Sequence, residues 1–257
     1  MNQNNFSQAL LAFGISCALA ACQAGASKTE APSPGTTTSL QKDTTVPGAV
    51  MDAVTAAPNL YRVLSDSLGI RIVSVNYGPG DSSAMHAHPD NALYVLKGST
   101  VAFTTQEGRS PAREFKTGMT AVRGAEAHSA KNTGTRPLQV ILVEVARPMN
   151  TGPRDEAMDA TKVAPNLYTV KSDSAGIRVL EINYAPGQSS ALHAHPDAAL
   201  YVLEGSTSEF TGEDGRKQMM TLKAGMALVM PAGVHSVKNV GATATKAILV
   251  EVYRQRQ

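Results

Sequence analysis

Hydrophobic and polar positions between about residues 50 and 254 keep a period near two or form short apolar runs. Ile70–Tyr77 and Ile177–Tyr184 alternate or run apolar, then stop at Gly78-Pro79-Gly80 and Ala185-Pro186-Gly187. That is the pattern of strands ended by turns. Leu93–Leu96 and Leu200–Leu203 are shorter apolar runs closed by Gly98 and Gly205. Asp214-Gly215 is a hairpin signal, echoed more weakly by Glu107-Gly108. Helix finds room only for a turn or two, at Met51–Ala57 and Glu156–Val163. Turn signals recur every ten residues or so, which predicts an all-β sandwich or barrel.

The pattern is written twice. Met51–Ala53 recurs as Met158–Ala160, Ala57–Tyr61 as Ala164–Tyr168, and Ile141–Val145 as Ile248–Val252. The offset is 107 throughout, without a gap, and 55 of 97 aligned positions are identical between 51–147 and 158–254. A period this long means tandem domains rather than a solenoid. The expected organisation is a domain over 51–147, a short linker over 148–157 and a second domain over 158–254. Each is a small closed or two-sheet barrel of about eight strands. Exposed sheet faces and a short linker predict that the two domains pack together.

Composition narrows the choice of partner. With 23 Lys+Arg against 21 Asp+Glu the net charge is +2, and no basic stripe points at nucleic acid. Aromatic residues make up 5% and Trp is absent, which leaves little for a base- or sugar-stacking platform. No P-loop, dinucleotide-binding glycine motif or nucleophile elbow occurs.

The N-terminus has a different character. Residues 1–21 carry no charged side chain, and Leu10–Ala21 is an apolar run of signal-peptide length. It ends in Leu19-Ala20-Ala21-Cys22, which resembles the lipobox of bacterial lipoproteins. The resemblance implies a leader over 1–21 and a diacylated Cys22 as the first mature residue. Gln23, where retained lipoproteins have Asp, implies an outer-membrane anchor facing the periplasm. The lack of Lys or Arg in Met1–Gln8 departs from the usual leader. Cys17 would leave with the leader, so no thiol remains for a disulfide or nucleophile. Residues 22–50 are rich in Ser, Thr, Pro, Gly and Ala and read as a flexible tether of roughly 30 Å r.m.s. span.

All six histidines fall at equivalent places: His86, His88 and His128 in the first copy, His193, His195 and His235 in the second. Two His at i and i+2 on a strand face the same way. If they face the barrel interior, a third can approach from a facing strand. Unpaired imidazoles in an interior are costly unless they ligate or hydrogen-bond something, so the triads are candidate metal ligands with open coordination positions.

Gly187-x5-His193-Ala194-His195 with Tyr201-Val202-Leu203-x-Gly205 resembles the first motif of the cupin family. Gly225-x5-Pro231-Ala232-Gly233-Val234-His235-x3-Asn239 resembles the second. Copy one matches with Gly80, His86, His88, Gly98, Gly118, His128 and Asn132. The resemblance implies a bicupin: two tandem jelly-roll (double-stranded β-helix) barrels. The buried imidazoles predict a divalent metal ion in at least one copy, with Fe, Mn, Zn and Ni all open. The family's usual Glu, three residues before the Tyr, is replaced by Asn91 and Ala198. Asp90 and Asp197, one residue earlier, are expected on the opposite strand face.

Arg71 and Arg178 share a face with the apolar positions of their strands. They are candidates to line the pocket and pair with a substrate carboxylate, the alternative being a barrel-end or surface position. Tyr94 and Tyr201 read as core residues with a hydrogen-bonded hydroxyl, a substrate contact being the second reading. Glu144 and Glu251 read as solvent-facing, and Met119 and Met226 as gap-fillers. Pro231-Ala232-Gly233, present only in copy two, fixes one φ and allows a positive one, which predicts a better-aimed His235 and a tighter second metal site.

Three neutral imidazoles leave the ion's charge unneutralised, which favours a small anionic chelating substrate and, by analogy, dioxygenase-type chemistry. A hydrolytic Zn site, a non-catalytic small-molecule-binding module at the cell envelope and a barrel acting through its surface are the alternatives. The sequence leaves room for a homo-oligomer.

Overall fold

The computed structural model describes residues 50–146 and 156–253. The expected leader, Cys22, the tether apart from residue 50 and residues 148–155 of the linker lie outside those residues. Among the described residues no helix is long and apolar enough to cross a membrane.

Each repeat folds as two facing antiparallel sheets, a jelly-roll barrel. The first begins with a one-turn helix α1 (Ala53–Ala56), then β1 (Tyr61–Ser67), β2 (Ile70–Tyr77), β3 (His86–His88), β4 (Asp90–Lys97) and β5 (Ser99–Thr105). It continues with β6 (Gly108–Arg109), β7 (Arg113–Phe115), β8 (Thr120–Arg123), β9 (Glu126–Asn132) and β10 (Leu138–Val145). The second has α2 (Ala160–Val163), β11 (Tyr168–Ser174), β12 (Ile177–Tyr184), β13 (His193–His195) and β14 (Asp197–Glu204). It closes with β15 (Thr207–Gly212), β16 (Lys217–Thr221), β17 (Ala227–Met230), β18 (Gly233–Asn239) and β19 (Thr245–Val252).

The larger sheet of each barrel has five strands, ordered β1-β2-β10-β4-β8 and β11-β12-β19-β14-β17. The smaller sheets run β3-β9-β5, with β6 and β7 on β5, and β13-β18-β15-β16. Short polar and glycine-bearing turns carry the chain between the sheets. Gly98 and Gly205 serve close approach: a Cβ at either would lie 2.2 or 2.3 Å from the carbonyl oxygen of Phe115 or Leu222, so no side chain fits.

The larger sheets are buried on both faces. On β10 the residues Leu138, Val140 and Leu142 enter the first barrel's core, with Tyr61, Val73, Val75, Tyr77, Leu93 and Val95. Their neighbours Ile141, Val143 and Val145 point the other way, into an apolar cluster shared with Ile177, Val179, Ile248 and Val250 of the second barrel. The two barrels therefore pack sheet against sheet, and Thr120 and Ser172 add a hydroxyl hydrogen bond of 2.7 Å across the seam. Two buried faces explain why Ile141–Val145 and Ile248–Val252 read as continuous rather than alternating apolar runs. Burying side chains of this size contributes about 1.5–3 kcal/mol each relative to exposure.

This seam corrects the reading of Tyr94 and Tyr201. Both are half-buried against the shared cluster, beside Ile72, Ile141 and Ile248, rather than inside a barrel. Burial raises the pKa of Tyr94, with Glu181 of the other barrel adding to it. They belong to the interface, and the two-residue period sends their side chains away from the histidines.

Candidate metal centre

Strand β3 is only three residues long, yet it delivers two of the three histidines. His86 and His88 share a face, and β9 pairs with β3 so that His86 lies opposite His128. Strands β13 and β18 repeat this with His193 opposite His235. Each triad offers one ring nitrogen per residue, all within 4.8 Å of one another. The rings meet edge-on or tilted at centroid distances of 4.8 to 5.2 Å in the first barrel and 4.9 to 5.3 Å in the second. Five of the six residues are buried and His235 is half-buried.

Burial pushes the His128 and His235 imidazoles down to about 3, with the neighbouring imidazoles pushing in the same direction. Burial takes His193 down to about 4 and also lowers His86. These rings are therefore neutral at physiological pH, and a neutral imidazole is the form that carries a lone pair for a metal.

What aims the rings is the larger sheet. The His88 Nδ1–H donates to Glu144 Oε1 at 2.7 Å, and the His195 Nδ1–H donates to Glu251 Oε1 at 2.7 Å. This fixes the tautomer and leaves Nε2 with its lone pair. The other carboxylate oxygen accepts from an arginine: Arg71 Nε at 2.7 Å and Arg178 Nε at 2.6 Å. Each arginine also holds an aspartate, Asp52 in one barrel and Asp159 at 2.8 Å in the other. Those aspartates in turn cap α1 and α2, accepting from the backbone N–H of Val54 and of Thr161.

Burial alone would raise the Glu251 carboxyl; the hydrogen bonds from His195 and Arg178 and the Arg178 charge outweigh it and hold it below the ordinary carboxylate range. Tyr253 Oη adds a third donor to Glu251 at 3.0 Å.

Two expectations are corrected here. Glu144 and Glu251 are not solvent-facing: their relative exposures are 2% and 0%. Arg71 and Arg178 do face inward, but the chain's own carboxylates engage them. Glu144 shares its strand parity with Leu142 and Val140, which enter the barrel, and that parity was the available signal.

His86 and His193 are oriented differently. Each donates its Nδ1–H to a backbone carbonyl, of Ala84 or Ala191, at 2.8 Å. Their Nε2 atoms accept from the hydroxyls of Tyr61 at 3.1 Å and Tyr168 at 2.9 Å. Those hydroxyls pair with Tyr77 and Tyr184 at 2.9 and 3.0 Å. Tyr61 and Tyr168 are thus the site phenols. Sequence reading saw the repeated Asn-Leu-Tyr but gave it no role, because nothing local joins it to histidines 25 residues away.

Asp90 and Asp197 point away from the triads, as strand parity predicts. Their Oδ1 atoms accept from the backbone N–H of Ala125 at 2.9 Å and Ala232 at 2.8 Å, tying down the turn before the third histidine in both copies. Gly233 takes no positive φ, so the conformational freedom expected to favour the second site is not used.

The three-nitrogen clusters fit a divalent metal: the rings converge inward, and the first two of each triad have Nδ1 held by outer partners, the arrangement that metal-ligating histidines show. In this arrangement His86, His88 and His128 would hold one ion, and His193, His195 and His235 another, with the remaining positions open.

Residues 180–251, from β12 to β19, match the Cupin domain family. No curated protein matches by sequence. Among solved structures the chain is similar to AerE from Microcystis aeruginosa, at 12% identity and TM-score 0.53 over 76% of this chain and 98% of that one. It is similar to a mutant of Bacillus subtilis oxalate decarboxylase, at 14% identity and TM-score 0.55 over 80% of this chain and 72% of that one. It is also similar to procruciferin, an 11S globulin from Brassica napus, at 11% identity and TM-score 0.53 over 77% and 85%. At such identities the likeness concerns fold.

The charge chains differ in burial, which sets an expected difference in stability. The Arg178 side chain is 5% exposed and Arg71 is 23% exposed. Glu251→Ala should cost about 3–5 kcal/mol because it leaves a buried cation with one partner fewer. Glu144→Ala should cost less, since Arg71 and Asp52 reach water. Urea unfolding of the metal-free variants checks the order.

Proposed function

We propose that this chain, a bicupin by the fold of both barrels and the family match of the second, is a metal-dependent oxidoreductase of the dioxygenase type. Its substrate class is a small anionic chelator such as an enolate or keto acid. The observation that carries this reading is the histidine triad with its arginine–glutamate–histidine support, present in both barrels with nearly the same distances. Bound there, a divalent ion supplies Lewis acidity and positions for substrate and O2. A Bacillus subtilis oxalate decarboxylase of similar fold, 14% identical, has Mn(II) centres; this supports a divalent metal here without choosing one.

The chain's own residues favour an anionic ligand. Three imidazoles contribute no negative charge, and the Glu144 and Glu251 charges are offset by Arg71 and Arg178. The ion's double charge is therefore left for the substrate to neutralise. Tyr61 and Tyr168 place a hydroxyl beside the ligand nitrogens, where it can donate to a substrate oxygen. A dioxygenase-type reaction puts both atoms of O2 into the substrate, so the substrate is the reductant and no nicotinamide or flavin site is required.

Metal analysis of tag-free protein should give two divalent ions per chain, falling to one in His88→Ala or His195→Ala. The loaded protein should consume O2 with a member of a β-dicarbonyl and keto-acid panel. Metal binding with tight ligand capture and no O2 uptake would make the protein a binding module, and no bound metal would remove the reading altogether.

We also propose that Cys22 carries the lipid that anchors the barrels at the outer membrane, facing the periplasm. The support is Leu19-Ala20-Ala21-Cys22 after a charge-free apolar run. Cys22→Ser should release the protein from the membrane fraction or block its processing. Mass spectrometry that finds an unmodified mature N-terminus at another residue would overturn the anchor.

A further inference from the structure

The two triads share their first two histidines' environment but not the third's. In the second barrel His235 follows Gly233, and the cross-strand partner of His195 is that glycine. In the first barrel the same place, opposite His88, holds Glu126. Residues 126 and 128 lie on one face of β9, and the Glu126 Oε1 is 3.7 Å from His128 Nδ1. Arg123 Nη1 donates to that same oxygen at 3.1 Å. The guanidinium lies 5.6 Å from the Phe103 ring centroid, and Phe103 packs edge-on against His128 at 5.0 Å. Copy two has Met230 in place of Arg123, and the corresponding Phe210–His235 separation is 5.8 Å. His128 is buried and His235 half-buried.

We infer that Glu126, held by Arg123, is a positioning residue for His128 that makes the first barrel's site bind a divalent metal more tightly than the second's. The inference rests on the metal reading above. The imidazole–carboxylate link at the other chelating histidine is equal in the two barrels: His88–Glu144 and His195–Glu251 are both 2.7 Å. Tyr253 donates to the far oxygen of Glu251, Oε2, and leaves the link to His195 unchanged. The backbone carbonyls that orient His86 and His193 stand at the same 2.8 Å. What remains different is the third ring. Site one gives it a carboxylate 3.7 Å from Nδ1, short of a hydrogen bond but held in place by Arg123, and a close aromatic wall, whereas site two gives it a glycine and partial exposure. A carboxylate hydrogen-bonded behind a ligating imidazole fixes its orientation, and losing such a partner typically weakens metal affinity 10- to 100-fold; Glu126 needs only a small side-chain shift to make that bond when His128 takes a metal.

The order is opposite to the one expected from the Pro231-Ala232-Gly233 turn. That turn gains nothing from its glycine, because Gly233 adopts no left-handed backbone, and both turns are tied to an aspartate in the same way.

Zn(II) affinity, measured by competition with a chromogenic chelator, tests the inference in the full chain. His195→Ala isolates site one and His88→Ala isolates site two. Site one should bind about 10- to 100-fold more tightly, and Glu126→Gln or Glu126→Gly in the His195→Ala background should remove that advantage. The reciprocal change has room: a Cβ on Gly233 meets only the Pro231 carbonyl oxygen at 3.9 Å. Gly233→Glu in the His88→Ala background should therefore tighten site two. Equal affinities, or an advantage that survives Glu126→Gln, would overturn the role of Glu126 while leaving the metal reading intact. Failure of both sites to bind Zn(II) would overturn both.

Discussion

In each barrel one buried carboxylate joins the two sheets. Glu144 sits on β10 in the larger sheet, takes hydrogen bonds from Arg71 on β2 and from His88 on β3 of the smaller sheet, and is shut off from water. Glu251 does the same for Arg178 and His195. A buried charge of this kind is tolerated only when its oxygens are satisfied from several directions. That requirement fixes the spacing of the sheets, the tautomer of the histidine and the place of the capping aspartate together. The metal-binding geometry is a consequence: with Nδ1 committed outward to the carboxylate, Nε2 has only the barrel interior to face.

The second constraint lies on the other side of the same sheet. β10 buries Ile141, Val143 and Val145 between the barrels and Leu138, Val140 and Leu142 within its own; β19 buries Ile248, Val250 and Val252 between them and Ala247 and Leu249 within its own. The strands that carry Glu144 and Glu251 are therefore held from both faces and have little freedom to move. Packing density of this kind stiffens the support behind each site. The duplication gives each barrel the cover its own sheet needs, which one domain of this size exposes when alone.

The barrel class, the doubling and the grouping of the histidines were legible because they depend on local period and on exact repetition. The parity of Ile70–Tyr77 placed Arg71 inward, and the His-Ala-His spacing placed two rings on one face. What the sequence concealed depends on which strands become neighbours. Glu144 looked solvent-facing because an acidic residue in an apolar strand has no local partner; its partners lie 56 and 73 residues away. Tyr94 looked like core because an apolar run does not say which of two buried faces belongs to the barrel. Tyr61 was missed because its contact with His86 spans the barrel. The Pro231 turn misled for a related reason: an aspartate from another strand does the same work in both copies.

The central claim is that three imidazoles in each barrel, and not a carboxylate or a sulfur, hold a divalent ion. Anomalous diffraction at the metal absorption edge from crystals of the loaded protein tests it most directly. The account predicts two peaks per chain, each about 2.0–2.1 Å from one nitrogen of three histidines if the ion is zinc, within the His86–His88–His128 and His193–His195–His235 clusters. Peaks elsewhere on the molecule, or ions held in those barrels by fewer than three histidine nitrogens, would contradict it.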